Sequence, residues 1–183
     1  MQVNRRTLIK QFLAISAGVV LIPSCMQDKS KASILLKSII IDSDQENLLS
    51  ELAETIIPKT NTPGAKDISA HLFALQMIDD CYKKEDQEKF VSGLKAFEEF
   101  SKKENGKSFA SSSAAEREAL LTKLEANKDG KEDLNYFYKS VKRLTIQAYT
   151  TSKYYLTNVQ VYELVPGRYH GCVPVKPAST KAS

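Results

Sequence analysis

Tryptophan is absent from the 183 residues, and histidine occurs twice, cysteine three times, proline six times and glycine seven times. Two histidines and three cysteines leave little material for a metal or haem site. Low glycine and proline, beside abundant Lys, Glu, Leu and Ala, argue against a β-sandwich, a collagen-like chain or a disordered protein. No block of five like charges occurs, so no nucleic-acid partner is expected. The motifs of self-contained catalysis are missing too. There is no G-x-G-x-x-G dinucleotide fingerprint, no P-loop, no C-x-x-C-H, no H-E-x-x-H and no G-x-S-x-G nucleophile elbow. No catalytic residue, metal site or cofactor is therefore expected on this chain, and its length suits one domain.

The charge that is present is unevenly placed. Three of the four net positive charges, from Arg5, Arg6 and Lys10, lie in the first 24 residues, which hold no acid; the remaining 159 residues carry +1. Phe12 to Ile22 is an apolar run too short for a permanent bilayer span. A basic start before a short apolar run reads as a secretory signal. Asn4-Arg5-Arg6-Thr7-Leu8-Ile9-Lys10 looks like the twin-arginine signal, which exports folded proteins. Ile22-Pro23-Ser24-Cys25 resembles a bacterial lipoprotein box, with Cys25 as the lipidated residue and a membrane anchor as the result. Residues 1–24 are thus expected to be a lipoprotein signal and residues 25–42 a lipid-anchored tether with a short apolar segment. That segment, Ile34 to Ile41, is undecided between helix and strand.

From residue 43 the 3.6-residue period dominates. Ser43 with Glu46 reads as a capping box for a helix carrying Leu48, Leu49, Leu52, Ala53, Ile56 and Ile57, ended by Pro58. Pro63-Gly64 fits a type II turn, in which Gly takes positive φ. Further helices are expected over about Lys66–Cys81, Glu85–Lys103, Ser113–Ala126 (capped by Ser113 and Glu116) and Glu132–Thr150. Gly93 lies inside the third of these five helices. It costs about 1 kcal/mol against Ala unless a neighbour packs closely there. Thr157 to Val165 reads as strand-like or irregular, Pro166-Gly167 as a turn, and residues 175–183 as a flexible tail. The fold class is all-α: a compact bundle of about five helices over residues 43–174, with an irregular C-terminal arm.

Isolated polar residues carry little chemistry. His71, mid-helix, reads as a partly buried structural side chain, and His170 as a loop residue. Adjacent Asp79 and Asp80 read as a solvated helix end rather than a carboxylate dyad. With Cys25 lipidated, Cys81 and Cys172 remain, to pair with each other, to pair with another chain or to stay free.

Four segments together resemble the gluconate 2-dehydrogenase subunit 3 family: Leu52-Ala53-Glu54-Thr55-Ile56-Ile57-Pro58, Thr60-Asn61-Thr62-Pro63-Gly64-Ala65, Tyr149-Thr150-Thr151-Ser152, and Val165-Pro166-Gly167-Arg168-Tyr169-His170-Gly171-Cys172. The twin-arginine start fits the same family. The family's usual Asp is replaced by Asn61, its frequent Gly by Ala148, its frequent Glu by Lys153 and its common Asp by His170. The resemblance implies a non-catalytic small subunit. Its partner would be an FAD-dependent GMC-type dehydrogenase large subunit that oxidises the sugar, with a cytochrome c subunit or another acceptor taking the electrons. A flavoprotein that binds FAD in the cytoplasm must cross the membrane folded, and it can travel with a subunit that holds the signal. The product would be a membrane-anchored lipoprotein facing the periplasm; the alternative is a free-standing lipoprotein adaptor. Five of the eight tyrosines lie beyond residue 148, and tyrosine is enriched at interface hot spots. The partner interface is therefore expected at Tyr149, Tyr155, Tyr169 and Cys172, together with the Pro63-Gly64 turn. An intersubunit disulfide at Cys172 is one of the three open outcomes for the thiols.

Overall fold

A computed structural model describes residues 31–126, 132–160 and 172. Five helices account for most of them: α1 (Ser43–Ile56), α2 (Ala70–Cys81), α3 (Lys84–Asn105), α4 (Ala114–Ala126) and α5 (Glu132–Thr150). No strand occurs among the described residues. The all-α bundle matches the periodicity, and the apolar stripes of the sequence are its core. Leu134, Phe137, Tyr138, Val141, Leu144, Thr145 and Ala148 are all buried on α5, which packs against α1, α2 and α3.

The centre is aromatic. Phe90 and Phe97 of α3, Phe109 of the α3–α4 connection and Phe137 of α5 are fully buried. Their rings meet at centroid distances of 5.1 Å (Phe90–Phe137 and Phe97–Phe109) and 5.5 Å (Phe97–Phe137), in tilted arrangements. Gly93 lets α3 and α5 approach this closely. A Cβ there would lie 2.2 Å from the Asp133 carbonyl oxygen and 2.5 Å from Phe137 Cβ. The close neighbour that would justify this helix-interior glycine is therefore present.

Helix ends differ in detail from expectation. Ser113 and Glu116 do cap α4: the carboxylate accepts from the Ser113 N–H at 2.7 Å and from its hydroxyl at 2.9 Å. At α1 the capping box is Asp42–Gln45 instead of Ser43–Glu46. Asp42 Oδ1 accepts from the Gln45 N–H at 2.8 Å, and Gln45 Oε1 from the Asp42 N–H at 3.3 Å. Both pairs have the required spacing. Glu46 is diverted because its carboxylate accepts from the Ser33 N–H at 2.5 Å and the Ser33 hydroxyl at 2.6 Å. α2 begins at Ala70 rather than near Lys66. The Lys66 N–H is taken by a Glu54 carboxylate oxygen at 2.9 Å, and Ser69 adopts a left-handed φ of 54°. Beyond α5, Tyr155–Val159 forms a π-helical turn, so residues 157–159 are not strand.

Residues 31–42 are neither helix nor strand. They form a strap along α2, with Ile39 and Ile41 in the core. Asp79 holds the strap. Its buried carboxylate accepts from the backbone N–H groups of Lys37 (2.7 Å), Ser38 (2.7 Å) and Ile39 (3.0 Å). The expected solvated helix end is therefore corrected for Asp79. Asp80 does face solvent, in an ion pair with Lys37 at 3.2 Å. The carbonyls of Ile78 and Asp79, orphaned at the end of α2, accept from the buried side chain of Gln87 at 3.0 and 2.9 Å.

Candidate functional site

Proline at 58 ends α1 and leaves the chain to turn back toward α2. Glu54, on the last turn of α1, organises that return. Its carboxylate accepts from the Lys59 N–H at 2.9 Å with one oxygen and from the Lys66 N–H at 2.9 Å with the other. Ala65 N–H donates to the Ile57 carbonyl at 2.9 Å. Asp67 accepts from the Gly64 N–H at 3.0 Å and ion-pairs with Lys59 at 3.1 Å. Those two donors hold the Asp67 carboxyl below the usual range.

Gly64 has no positive φ; among the described residues the glycine with one is Gly106, at 68°. The type II turn is therefore not formed at Pro63-Gly64. Glycine is needed at 64 for a different reason. A Cβ there would lie 2.5 and 2.6 Å from the Glu54 carboxylate oxygens and 2.7 Å from the Lys59 nitrogen. Gly64 is buried and Pro63 half-buried, so the loop turns Thr60, Asn61 and Thr62 outward.

The inner side of this loop meets the end of α5. Ala53, Ala65, Ala70 and Ala148 form a small buried cluster, with Ile57, Ile68 and Phe73 packed against it. Small side chains let α1, α2 and α5 converge at this point. A groove of about 480 Å³ opens beside the cluster, lined by Ile68 and Phe73 on one side and Thr151, Ser152, Lys153 and Tyr154 on the other, with Ala148 at its floor. Its second wall is fixed by hydrogen bonds. Ser152 Oγ donates to the Tyr149 carbonyl at 2.7 Å and accepts from the Tyr155 N–H at 3.2 Å. Tyr149 sits between Tyr154 and Tyr155, with ring centroids 6.4 and 6.2 Å away, and all three are half-buried.

Of the residues expected to form a partner interface, Tyr149 and Tyr155 are thus brought together, whereas Pro63 and Gly64 do not line the groove beside their segment. Cys81 and Cys172 are free and exposed. Tyr169 and His170 lie outside the described residues, as do Arg5, Arg6 and Cys25. His71 is half-buried, with Nε2 3.9 Å from Glu46 and a buried Nδ1 without a hydrogen-bond partner among the described residues. Burial pushes its pKa down against the pull of Glu46. Sequence reasoning missed Glu54, Asp67 and Asp79, whose roles depend on backbone N–H groups delivered by other segments. It also missed Arg117. This residue donates to the Phe109 carbonyl at 3.0 Å and the Ala110 carbonyl at 2.6 Å, and its guanidinium also pairs with Glu51 of α1.

Among the described residues no group of three or more His, Cys, Asp or Glu side chains is placed to hold a metal ion, and no helix is long and apolar enough to cross a membrane. A family model described as gluconate 2-dehydrogenase subunit 3 matches residues 43–167, a stretch that includes both walls of the groove. No curated protein and no solved structure matches the chain.

Proposed function

Because the chain belongs to the gluconate 2-dehydrogenase subunit 3 family, we propose that it is the non-catalytic small subunit of a periplasmic-side, FAD-dependent gluconate or related sugar dehydrogenase. In this reading the large subunit binds FAD and oxidises the sugar, and a cytochrome c or another acceptor receives the electrons. The small subunit supplies the twin-arginine signal through Arg5 and Arg6, assists assembly, and holds the complex to the membrane through lipid on Cys25.

One observation carries the docking part of this reading. Two separate stretches, 68–73 and 148–154, line one groove. The 58–67 loop that leads into the first and the 149–155 segment that holds most of the second are each locked by their own hydrogen bonds before any partner arrives. Such preorganisation lowers the entropy cost of association. The half-buried tyrosines supply large rings with few rotors at the rim. The test is co-purification with the large subunit after Thr151→Arg, which projects a charge from the groove wall, and after Tyr155→Ala. A hot spot of about 2 kcal/mol predicts that pairing weakens by more than tenfold, with helix content unchanged by circular dichroism. Wild-type pairing in both variants would remove the groove from the interface. A pull-down of the native lipoprotein that returns no flavoprotein would favour the free-standing adaptor.

A further inference from the structure

The strap closes on itself. The Ala32 N–H donates to the Ile41 carbonyl at 3.3 Å, so residues 33–40 form a loop with a joined neck. Asp79 grips its interior through three backbone N–H groups, and Ile39 and Ile41 anchor it in the core. The loop is thus held in shape, yet Leu35 is 100% exposed and Ile40 92% exposed. Aliphatic side chains held so fully in water by a pinned backbone ask for a covering surface.

We infer that this loop is a membrane-contacting element, with Leu35 and Ile40 entering the boundary between lipid headgroups and acyl chains. The inference rests on lipid anchoring at Cys25. Ala32, at the neck, lies only seven positions after Cys25, and seven residues span at most about 25 Å even when fully extended. An anchored chain therefore keeps the loop next to the bilayer. Residues 26–41 carry Lys29, Lys31 and Lys37 against one acid, Asp28. Aliphatic tips on a stretch of net positive charge suit an anionic lipid surface, although Lys37 also pairs with Asp80. A protein interface would favour aromatic and arginine side chains and few lysines. The loop also lies on a different side of α2 from the groove: it borders Leu72, Gln76 and Asp80, whereas the groove is lined by Phe73. Lipid and a docked subunit can therefore be engaged together.

The absence of tryptophan makes the test direct. Full-length chain, exported on its own signal and carrying Leu35→Trp, is reconstituted into phosphatidylethanolamine–phosphatidylglycerol vesicles with brominated acyl chains. The expected result is flotation with the vesicles, blue-shifted emission and quenching by the bromines; Lys123→Trp on α4 should show neither spectral change. Flotation of the Leu35→Trp chain with unshifted, unquenched indole emission overturns the loop contact while leaving the anchor intact. Failure to float counts against the anchor instead. The same reporter is then read in a chain whose residues 1–25 are replaced by hexahistidine, on vesicles bearing nickel-chelating lipid. There an unshifted signal overturns the contact on its own. A shift that requires the dehydrogenase large subunit, without quenching by lipid, assigns the loop to protein and overturns the inference as well.

Discussion

Asp79 shows what one side chain contributes when its environment contradicts its usual preference. It sits near the C-terminal end of α2, where the helix dipole disfavours an anion, and it is buried. Burial opposes its ionisation, but the N–H groups of Lys37, Ser38 and Ile39 outweigh that, and Lys37 adds a favourable charge, so its pKa is lowered. A carboxyl with a depressed native pKa contributes stability that is fully present above the unfolded value of about 3.9 and is lost as pH falls toward the native value. Hydrogen bonds to a charged group contribute about 1.5–3 kcal/mol each and are not additive. Asp79→Ala is therefore expected to cost about 2–3 kcal/mol at pH 7. The gap from wild type should narrow below about pH 4, as the wild-type carboxyl itself protonates. Urea titrations of both proteins at pH 7 and pH 3 measure this; a gap that stays constant with pH would show that the three N–H groups do not depend on the charge.

At the scale of elements, the close pairing of α3 and α5 makes an unusual substitution informative. Gly→Ala inside a helix normally stabilises by about 0.5–1 kcal/mol. At Gly93 the added methyl would meet the Asp133 carbonyl oxygen and Phe137 Cβ at distances no pair of real atoms tolerates, so α3 and α5 must move apart. Overpacking of this kind costs about 1–3 kcal/mol. Gly93→Ala is thus expected to lower the melting temperature, and a rise would refute the close approach. The same pair shows what was legible in the sequence. The helices and their buried faces could be read because the 3.6-residue period is local, and even the need for a neighbour at Gly93 could be stated. The α1 cap could not be placed, because two acid or amide side chains at cap spacing competed and Ser33, thirteen residues away, decided between them. The loop after Pro58 was legible as a loop but not as a structure. Glu54 looks like any exposed helix glutamate until Lys59 and Lys66 N–H groups are brought to it. Asp79 acts across about forty positions, a separation that no local pattern encodes. Of the expected interface, the tyrosines near 149–155 were legible by composition, whereas the groove beside them was not, because its lining brings Ile68 and Phe73 together with residues about eighty positions later.

For the whole molecule, the division of tasks follows from how its surfaces are distributed around α2. One side carries the pinned loop with Leu35 and Ile40, and another opens the groove between Ile68 and Phe73 and residues 148–154. On the proposed reading the chain would link lipid to a folded partner, and the redox chemistry would belong to that partner. The proposed function would also account for an export signal on this chain: a flavoprotein that folds around FAD in the cytoplasm would cross bound to the subunit that holds the twin arginines. Two substitutions then move the same activity to different places. Replacing Arg5 and Arg6 by Lys should leave dye-linked sugar dehydrogenase activity in the cytoplasm, with both subunits retained together. Replacing Cys25 by Ala should let the complex cross but release it in soluble form on the far side. Neither change touches the groove, so total turnover per flavin should stay at the wild-type level in both. Fractionation with flavin and activity assays in each compartment is the measurement. If the large subunit still reaches the periplasm when Arg5 and Arg6 are replaced, it crosses without this chain, and the escort role is lost while the docking role stands.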